Sequence, residues 1–465
     1  MLVDPAIEIS FDSPRYITTA DSIASGNGYR TISEIDNNPV FYNNYIFPYI
    51  IAPLIKIFGL NPYPLKILML VFSLLSILLF FSLTLELFNK KEALLLSVSL
   101  MSMPIFIRFS NKILTEAPFM FFLLLSLWLL NRYFQKDKKI YLGLLLATMY
   151  SLIFTRTIGI IILVPLFIYS YAKKDRNLFI TTAILTTITI ITIYIIQSRT
   201  APENNLYHIK YLLYKDDFTP QQGYIDIECL IARVIDNIKF YFLNIPREIF
   251  NLPSSGILLY ATLFWTLLCS GIYSIKPNFY KKSFFVFFAT YLFFFIVWPW
   301  QSTRFIYPIL FIILIYLYWG LKSLIIRIPS TIKRIIYLTI ILSILYSGLK
   351  ELLLEITVNK IYPAEVNEVV QLSSWIKENT SQESVILSKN TALIYMLSSR
   401  KGTYIPYSYD MKKITTHIEK KGVTHILADR LNSEMIKYIY PWINKNKERL
   451  RIIKIDGGTV LFELD

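Results

Sequence analysis

Four charged side chains are the candidates for chemistry: Asp12, in a polar N-terminal segment, and Glu116, Arg156 and Arg304, each beside or within a long apolar segment. A carboxylate can take a proton from an attacking hydroxyl group. A guanidinium fork can hold a phosphate and stabilise it as a leaving group. Charges kept at a water–lipid boundary usually serve chemistry or transport. The set therefore suits a substrate whose phosphate is carried on a lipid.

Each of these residues also has an ordinary structural explanation. An aspartate such as Asp12 often caps a helix or solvates a loop, and an acid at the start of an apolar helix, as Glu116 is, is favoured by the helix dipole. Arg156 and Arg304 could simply reach out to phospholipid headgroups. The hypothesis of a site depends on all four lying at the same face of the membrane.

The elements that must position them are membrane helices. The 465-residue chain is 54% hydrophobic and 16% aromatic, and a span needs about 20 mostly apolar residues. We predict ten spans, near residues 62–88, 92–109, 115–134, 140–154, 157–172, 177–197, 255–275, 283–299, 304–321 and 335–353. Two short halves meet around Arg156.

The basic residues indicate the orientation of these spans. The formal net charge is +15, and every second loop is short and rich in lysine and arginine, which is typical of cytoplasmic loops. This pattern explains the positive charge without nucleic acid as a partner. It predicts that residues 1–61, the long loop 197–254 and the tail from residue 355 lie outside, with all four candidate residues at the outer boundary.

The sequence divides into three predicted parts. Residues 1–61 form an outer acidic loop followed by a short proline-containing apolar segment, which we interpret as a helix lying in the membrane interface. Residues 62–354 form the helical bundle. Residues 355–465 alternate short apolar runs with helical patterns, which predicts a small outer α/β domain, a lid or a cap that binds the acceptor. The fold class is thus mainly α, a polytopic transmembrane helix bundle with interfacial helices and a C-terminal α/β domain.

The start of the chain raises the question of how the first loop reaches the outer side. No segment before Asp12 resembles a signal peptide or a span that would carry the first loop outside, so we expect one more helix upstream.

The two cysteines, Cys229 and Cys269, indicate neither a metal site nor a disulfide framework. The sequence shows no dedicated metal cluster, and no cofactor is predicted with certainty.

The order of short motifs resembles the GT-C superfamily of membrane glycosyltransferases, in the branch of protein O-mannosyltransferases and aminoarabinose transferases. Asp12 with the following Ser-Pro-Arg-Tyr is similar to the acidic first outer loop of that family, and the segment 45–59 is similar to its interface helix. The motifs around Glu116, Arg156 and Arg304 follow in the expected order. The resemblance covers nearly the whole chain, although each motif is short, and a single Pro48 stands where the family typically has two prolines.

The resemblance implies roles for particular residues. It implies that Asp12 acts as the base or positions the acceptor, with Glu116 as its partner, and that Arg156 and Arg304 hold the donor phosphate. The remaining candidates for substrate binding are Arg15, Tyr16, Tyr42, Tyr45 and Lys112. The implied reaction transfers a sugar from a polyprenyl-phosphate donor to a glycan, lipid or protein acceptor in one inverting displacement, for which a divalent metal is optional.

Two other classes of function remain open at this stage. A transporter or flippase of a lipid-linked or anionic substrate would also use these arginines, but it predicts inverted repeats and charges near the midplane of the membrane. The sequence has no such repeat, and its charges gather at one face. A catalytically inactive receptor or scaffold that uses the outer domain is the second alternative.

Overall fold

The computed structural model describes residues 12–39, 44–200, 213–216, 219, 222–274, 279–326, 328–357, 362–431 and 433–464. The helices in these ranges are α1 (Asp12–Ala24), α2 (Ile46–Phe58), α3 (Pro62–Thr84), α4 (Lys90–Met101), α5 (Pro104–Ser110), α6 (Glu116–Lys136), α7 (Ile140–Thr155), α8 (Leu163–Lys173), α9 (Arg176–Thr200), α10 (Ile227–Phe250), α11 (Ile257–Ser274), α12 (Phe279–Val297), α13 (Leu310–Leu324), α14 (Ser330–Thr357), α15 (Ala364–Asn379), α16 (Thr391–Ser398), α17 (Met411–Lys420) and α18 (Tyr440–Lys445). Short 3₁₀ segments, Thr157–Ile162 and Thr303–Ile309, lead into α8 and α13.

The apolar helices agree with the predicted bundle. Six helices in the described part of the chain are long and apolar enough to cross a membrane, and α4 with α5 could form a seventh span that is bent by 63°. Three shorter apolar helices coincide with the remaining predicted spans, at 140–155, within 157–173 and at 285–297. The predicted fold class is confirmed, whereas the count of ten spans stays a prediction.

Two glycines set the closest helix packing in the bundle. A Cβ atom on Gly271 of α11 would lie 1.9 Å from the carbonyl oxygen of Tyr316, and one on Gly320 of α13 would lie 1.9 Å from that of Leu267. Small residues at such crossings let membrane helices approach closely, because packing rather than the hydrophobic effect holds helices together in lipid. This contact fixes α13, which continues directly from the segment that carries Arg304.

The loop that we predicted between residues 197 and 254 contains the 24-residue helix α10. Asp226 caps it by accepting a hydrogen bond from the backbone N–H of Cys229. Its inward face is buried at Asn237, Tyr241 and Ile249. Our sequence reading missed this helix because its charged residues divide the apolar pattern.

The C-terminal domain has the small sheet that the alternating pattern predicts. Its five strands are β1 (Ile386–Leu387), β2 (Gly402–Thr403), β3 (His425–Ala428), β4 (Leu450–Asp456) and β5 (Thr459–Leu464). They lie in the order β2-β1-β3-β5-β4, the first three parallel and the last two antiparallel to their neighbours. Two apolar clusters fill its core, one around Trp442 and one around Leu372. The edge strand β2 is bridged at Gly402 to Glu34, in the loop between α1 and α2.

Candidate active site

Glu116 lies at a break between two helices. Helix α5 ends at Ser110, and α6 begins at Glu116, with Pro118 in its first turn. Proline is tolerated there because the first N–H groups of a helix have no partner within the helix. The Glu116 side chain is fully buried. The free N–H groups of this helix end favour its negative charge.

Arg156 terminates α7 in an extended conformation, with φ −150° and ψ 130°. The chain then turns tightly into the 3₁₀ segment, and a Cβ atom on Gly159 would lie 2.9 Å from the carbonyl oxygen of Leu152. Gly159 therefore allows this turn, which points a largely buried Arg156 into the protein. The pair of short apolar segments that we predicted here is this helix break.

Arg304 is held in a similar irregular segment. Helix α12 ends at Val297, and the side-chain amide of Asn237 donates hydrogen bonds to the backbone oxygens of Phe295 and Ile296 in its last turn and of Trp298 just beyond it. The hydroxyl of Tyr291 donates to the backbone oxygen of Phe305 at 3.0 Å. These two side chains thus bind backbone oxygens at the break between α12 and α13. A backbone group in lipid needs such a partner within the protein, because no water is present to bind it.

These breaks and the start of α1 bring the four candidate residues into one cluster, the charged cluster. Glu116 Oε1 lies 2.5 Å from Arg156 Nη1 and 3.0 Å from Arg304 Nε. Arg304 Nη2 lies 2.7 Å from Asp12 Oδ2. Arg304 therefore links the two carboxylates, although its Nε–H is not aligned with Glu116 as a hydrogen bond requires.

The charged cluster is balanced, with two carboxylates and two guanidinium groups. Glu116 does not have to neutralise both arginines, because Asp12 also binds Arg304. Glu116 Oε2 has no hydrogen-bond partner and is buried, whereas the Asp12 side chain is 31% exposed. Asp12 is thus the carboxylate that a substrate could reach, and Glu116 is the one that orients both arginines.

Tyr16 supports the cluster from α1. Its hydroxyl accepts a hydrogen bond from the Asn44 side chain at 2.7 Å, and its ring meets Phe47 edge to face. Burial, together with the negative charge of Asp12, raises the pKa of Tyr16. The phenol therefore stays protonated, and it holds α1 against α2 beside the charged cluster.

The other predicted substrate-binding residues fall in different places. Arg15 points to the C-terminal domain, where its guanidinium donates to the hydroxyl of Tyr404 at 3.1 Å and lies 5.3 Å from the ring centre. Lys112 lies in the loop before Glu116, over the ring of Phe109. Tyr42 lies outside the described residues.

Tyr45 lines a groove of about 410 Å³ between α2, α7 and α9. Its ring packs on Tyr29, with 5.0 Å between the ring centres, and Tyr29 also stacks on Tyr49. The groove is lined by Tyr29, Tyr45, Ile46, Tyr49, Tyr150, Phe154, Thr192, Ile195 and Ile196. Phe154 lies two residues before Arg156, so the apolar groove ends near the charged cluster.

Sequence reasoning missed Asn44, Asn237 and Tyr404, which hold the elements of the site in place. Asn237 is a buried polar residue on an otherwise apolar helix face, and that signal could have revealed it. Tyr404 carries no such signal, since its role depends on the docking of the C-terminal domain.

No group of three or more His, Cys, Asp and Glu side chains that could hold a metal ion occurs among the residues that the structure describes. Asp12 and Glu116 are both engaged by guanidinium groups.

Residues 43–198 match the model of the dolichyl-phosphate-mannose-protein mannosyltransferase family. The fold resembles that of ArnT from Cupriavidus metallidurans bound to undecaprenyl phosphate, with a TM-score of 0.64 at 12% identity over 99% of this chain and 95% of that one. It also resembles an oligosaccharyltransferase from Archaeoglobus fulgidus, with a TM-score of 0.57 at 12% identity over 90% of this chain. The chain spans 65% of that longer protein. No curated protein matches it in sequence.

The predicted resemblance is confirmed in two respects. One third of the chain carries the sequence pattern of the mannosyltransferase family, and nearly the whole chain has a fold similar to that of ArnT. The charged cluster is built partly from this matched segment, which includes Glu116 and Arg156, and partly from Asp12 and Arg304 outside it.

Replacing Glu116 by glutamine should destabilise the protein markedly. The amide keeps the shape of the side chain but leaves Arg156 without a carboxylate partner and Arg304 with Asp12 alone, and breaking a buried ion pair typically costs about 3–5 kcal/mol. Thermal unfolding in detergent measures this loss. Glu419→Gln is the control, because Glu419 forms an exposed pair with Arg449. Equal melting temperatures for the two variants would contradict the proposed role of Glu116.

Proposed function

We propose that this chain is a membrane glycosyltransferase that moves a sugar from a polyprenyl-phosphate donor to an acceptor at the outer face of the membrane. The charged cluster carries this proposal, because it joins one accessible carboxylate to two arginines within a membrane fold. The similarity to the mannosyltransferase family and to ArnT, which was solved with undecaprenyl phosphate, supports the class of donor.

In the proposed reaction, Asp12 acts as the general base. An acceptor hydroxyl attacks the anomeric carbon of the donor, and its proton passes to the Asp12 carboxylate. The bond between the anomeric carbon and the phosphate oxygen breaks, and the phosphate leaves with the electron pair. A single displacement of this kind inverts the configuration at the anomeric carbon.

Arg156 and Arg304 are the proposed partners of the leaving phosphate. A guanidinium group carries five N–H donors, and the described contact of Arg156 with Glu116 uses only its Nη1. A phosphate can therefore join the pair without separating it. At Arg304, a phosphate would compete with Asp12 and so free the carboxylate for its role as base.

The groove lined by Tyr45 is the proposed binding site for the lipid chain of the donor. It is apolar, it is built from two membrane helices and the interface helix α2, and it ends near Arg156. A polyprenyl chain that enters the groove from the membrane would direct its phosphate toward the arginines.

The outer face is proposed from the distribution of basic loops, since such loops are retained in the cytoplasm. The transporter alternative is not favoured by the comparisons. It also does not explain why both arginines are already paired with carboxylates at one end of the bundle.

Asp12→Asn should lower sugar transfer by about 10²–10⁴-fold, because an amide cannot accept the proton. The measurement is turnover by purified protein with a polyprenyl-phosphate sugar, at matched protein levels. Asp21→Asn, on the same helix but outside the charged cluster, should retain activity. Near-normal turnover by Asp12→Asn would show that Asp12 is only a structural residue.

Lysine in place of the donor-binding arginine should raise the KM for the donor by roughly tenfold, because lysine keeps the charge but loses the two-pronged geometry. Arg156→Lys and Arg304→Lys test the two candidates, and Arg132→Lys, at the other end of α6, is the control. If neither variant changes the KM for the donor, the phosphate is bound elsewhere, with Lys112 as the next candidate.

The proposed orientation can be tested by cysteine labelling in intact cells. In a background with Cys229→Ser and Cys269→Ser, Lys413→Cys should react with a membrane-impermeant maleimide, because the C-terminal domain is expected outside. Lys138→Cys, in a basic loop, should react only after permeabilisation. Labelling of position 138 alone in intact cells would reverse the orientation.

A further inference from the structure

The first outer loop is hydrogen-bonded to the C-terminal sheet. The backbone N–H of Gly402 donates to the oxygen of Ser33 at 2.9 Å, and the N–H of Ile35 donates to the oxygen of Gly402 at 3.0 Å. The loop thus lies beside β2, the edge strand, in a parallel bridge. An edge strand offers unpaired backbone groups, and here the loop between α1 and α2 takes them.

Two further contacts fasten this interface. Lys421 of the C-terminal domain pairs with Asp36 of the loop at 2.5 Å. Helix α16 packs against α1, and Met396 of α16 joins the apolar cluster of the membrane bundle. The domain therefore lies directly against the helix that begins with Asp12.

The contact closest to the charged cluster is that between Arg15 and Tyr404. Arg15 follows Asp12 by three residues, so both side chains project from the same side of α1. The Tyr404 hydroxyl accepts from Arg15 Nε at 3.3 Å and from Nη2 at 3.1 Å. Burial raises the pKa of the neighbouring Glu34, and Arg15 and Tyr404 oppose this shift, so Glu34 adds to the polar contact.

Tyr404 directly follows β2, at the carboxyl ends of the parallel strands. Lys389 follows β1 at the same edge and pairs with Glu434 at 2.7 Å, with both side chains buried. Lys389 also donates to the hydroxyl of Tyr407. This edge of the sheet is a firmly supported surface against which Arg15 rests.

Helix α1 is thus fixed at three points around Asp12. Tyr16 holds it to the segment before α2, Arg15 holds it to the C-terminal domain, and Asp12 meets Arg304 of the membrane bundle. The position of a catalytic group matters strongly, because a displacement of about 1 Å can cost roughly 10²-fold in rate.

We propose that the C-terminal domain positions the catalytic carboxylate: Tyr404 holds Arg15, and through α1 this contact fixes where Asp12 meets Arg304. Arg15 and Tyr404 are then positioning residues rather than residues that bind substrate. The inference rests on the proposed function of Asp12 as the base, and it gives the domain a role in the reaction beyond that of a cap.

The test is a double-mutant cycle with Asp12. Tyr404→Phe and Arg15→Ala should each lower kcat for sugar transfer by about 10-fold, with the KM for the donor unchanged. In the Asp12→Asn background the same changes should cause no further loss, because residues that act through one group are not additive. Arg451→Ala, which removes an exposed pair with Glu463 in the same domain, should leave kcat unchanged in both backgrounds.

Two outcomes would overturn the inference. If the losses multiply in the Asp12→Asn background, the contact supports the fold in general. If Arg15→Ala raises the KM for a substrate and leaves kcat unchanged, Arg15 binds that substrate.

A second measurement separates this inference from the proposed function. Hydrogen exchange of the α1 amides should become faster in Tyr404→Ala and stay unchanged in Arg451→Ala, whether or not the protein transfers sugar. Absence of transfer by the unmodified protein would reject the function alone. Unchanged exchange in Tyr404→Ala would reject the positioning role.

Discussion

The structure depends on one interaction, the pairing of Arg304 with both Asp12 and the buried Glu116. A charge at membrane depth is costly, by roughly 2.5–3.5 kcal/mol on insertion scales, and it persists where partners compensate it. The two partners of Arg304 come from elements far apart in sequence, since Asp12 begins α1 and Glu116 begins α6. Glu116 also pairs with Arg156, at the break after α7. The cluster therefore constrains how the outer segment, the bundle and the late 3₁₀ segment meet.

This constraint explains why the bundle is irregular where it is. A continuous helix could not turn Arg156 inward, and the break at Gly159 allows this turn. Asn237 of α10 donates to the backbone oxygens at the end of α12 and just beyond it. The irregular segments that carry Arg156 and Arg304 thus meet at the charged cluster, and side chains of other elements complete the hydrogen bonds of the segment before Arg304.

Much of this could be predicted from the sequence, because long apolar runs and alternating basic loops follow simple physical rules. The helical bundle, a short apolar helix at α2 and the small C-terminal sheet were all predicted, and the place of α2 in the membrane interface stays a prediction. The four charged residues were also singled out, since isolated charges in apolar surroundings are conspicuous. The pairing of Arg304 with Asp12 was not predicted, and neither was the contact of Arg15 with Tyr404, because both depend on tertiary docking. Helix α10 was missed because amphipathic outer helices give a weak hydropathy signal.

The most direct test of the account is to determine the structure of the protein with a short-chain polyprenyl phosphate bound. The account predicts phosphate oxygens within about 2.7–3.0 Å of a guanidinium nitrogen of Arg156 or Arg304, with the isoprenoid units in the groove beside Tyr45. A phosphate bound away from both arginines, with the charged cluster unchanged, would contradict it.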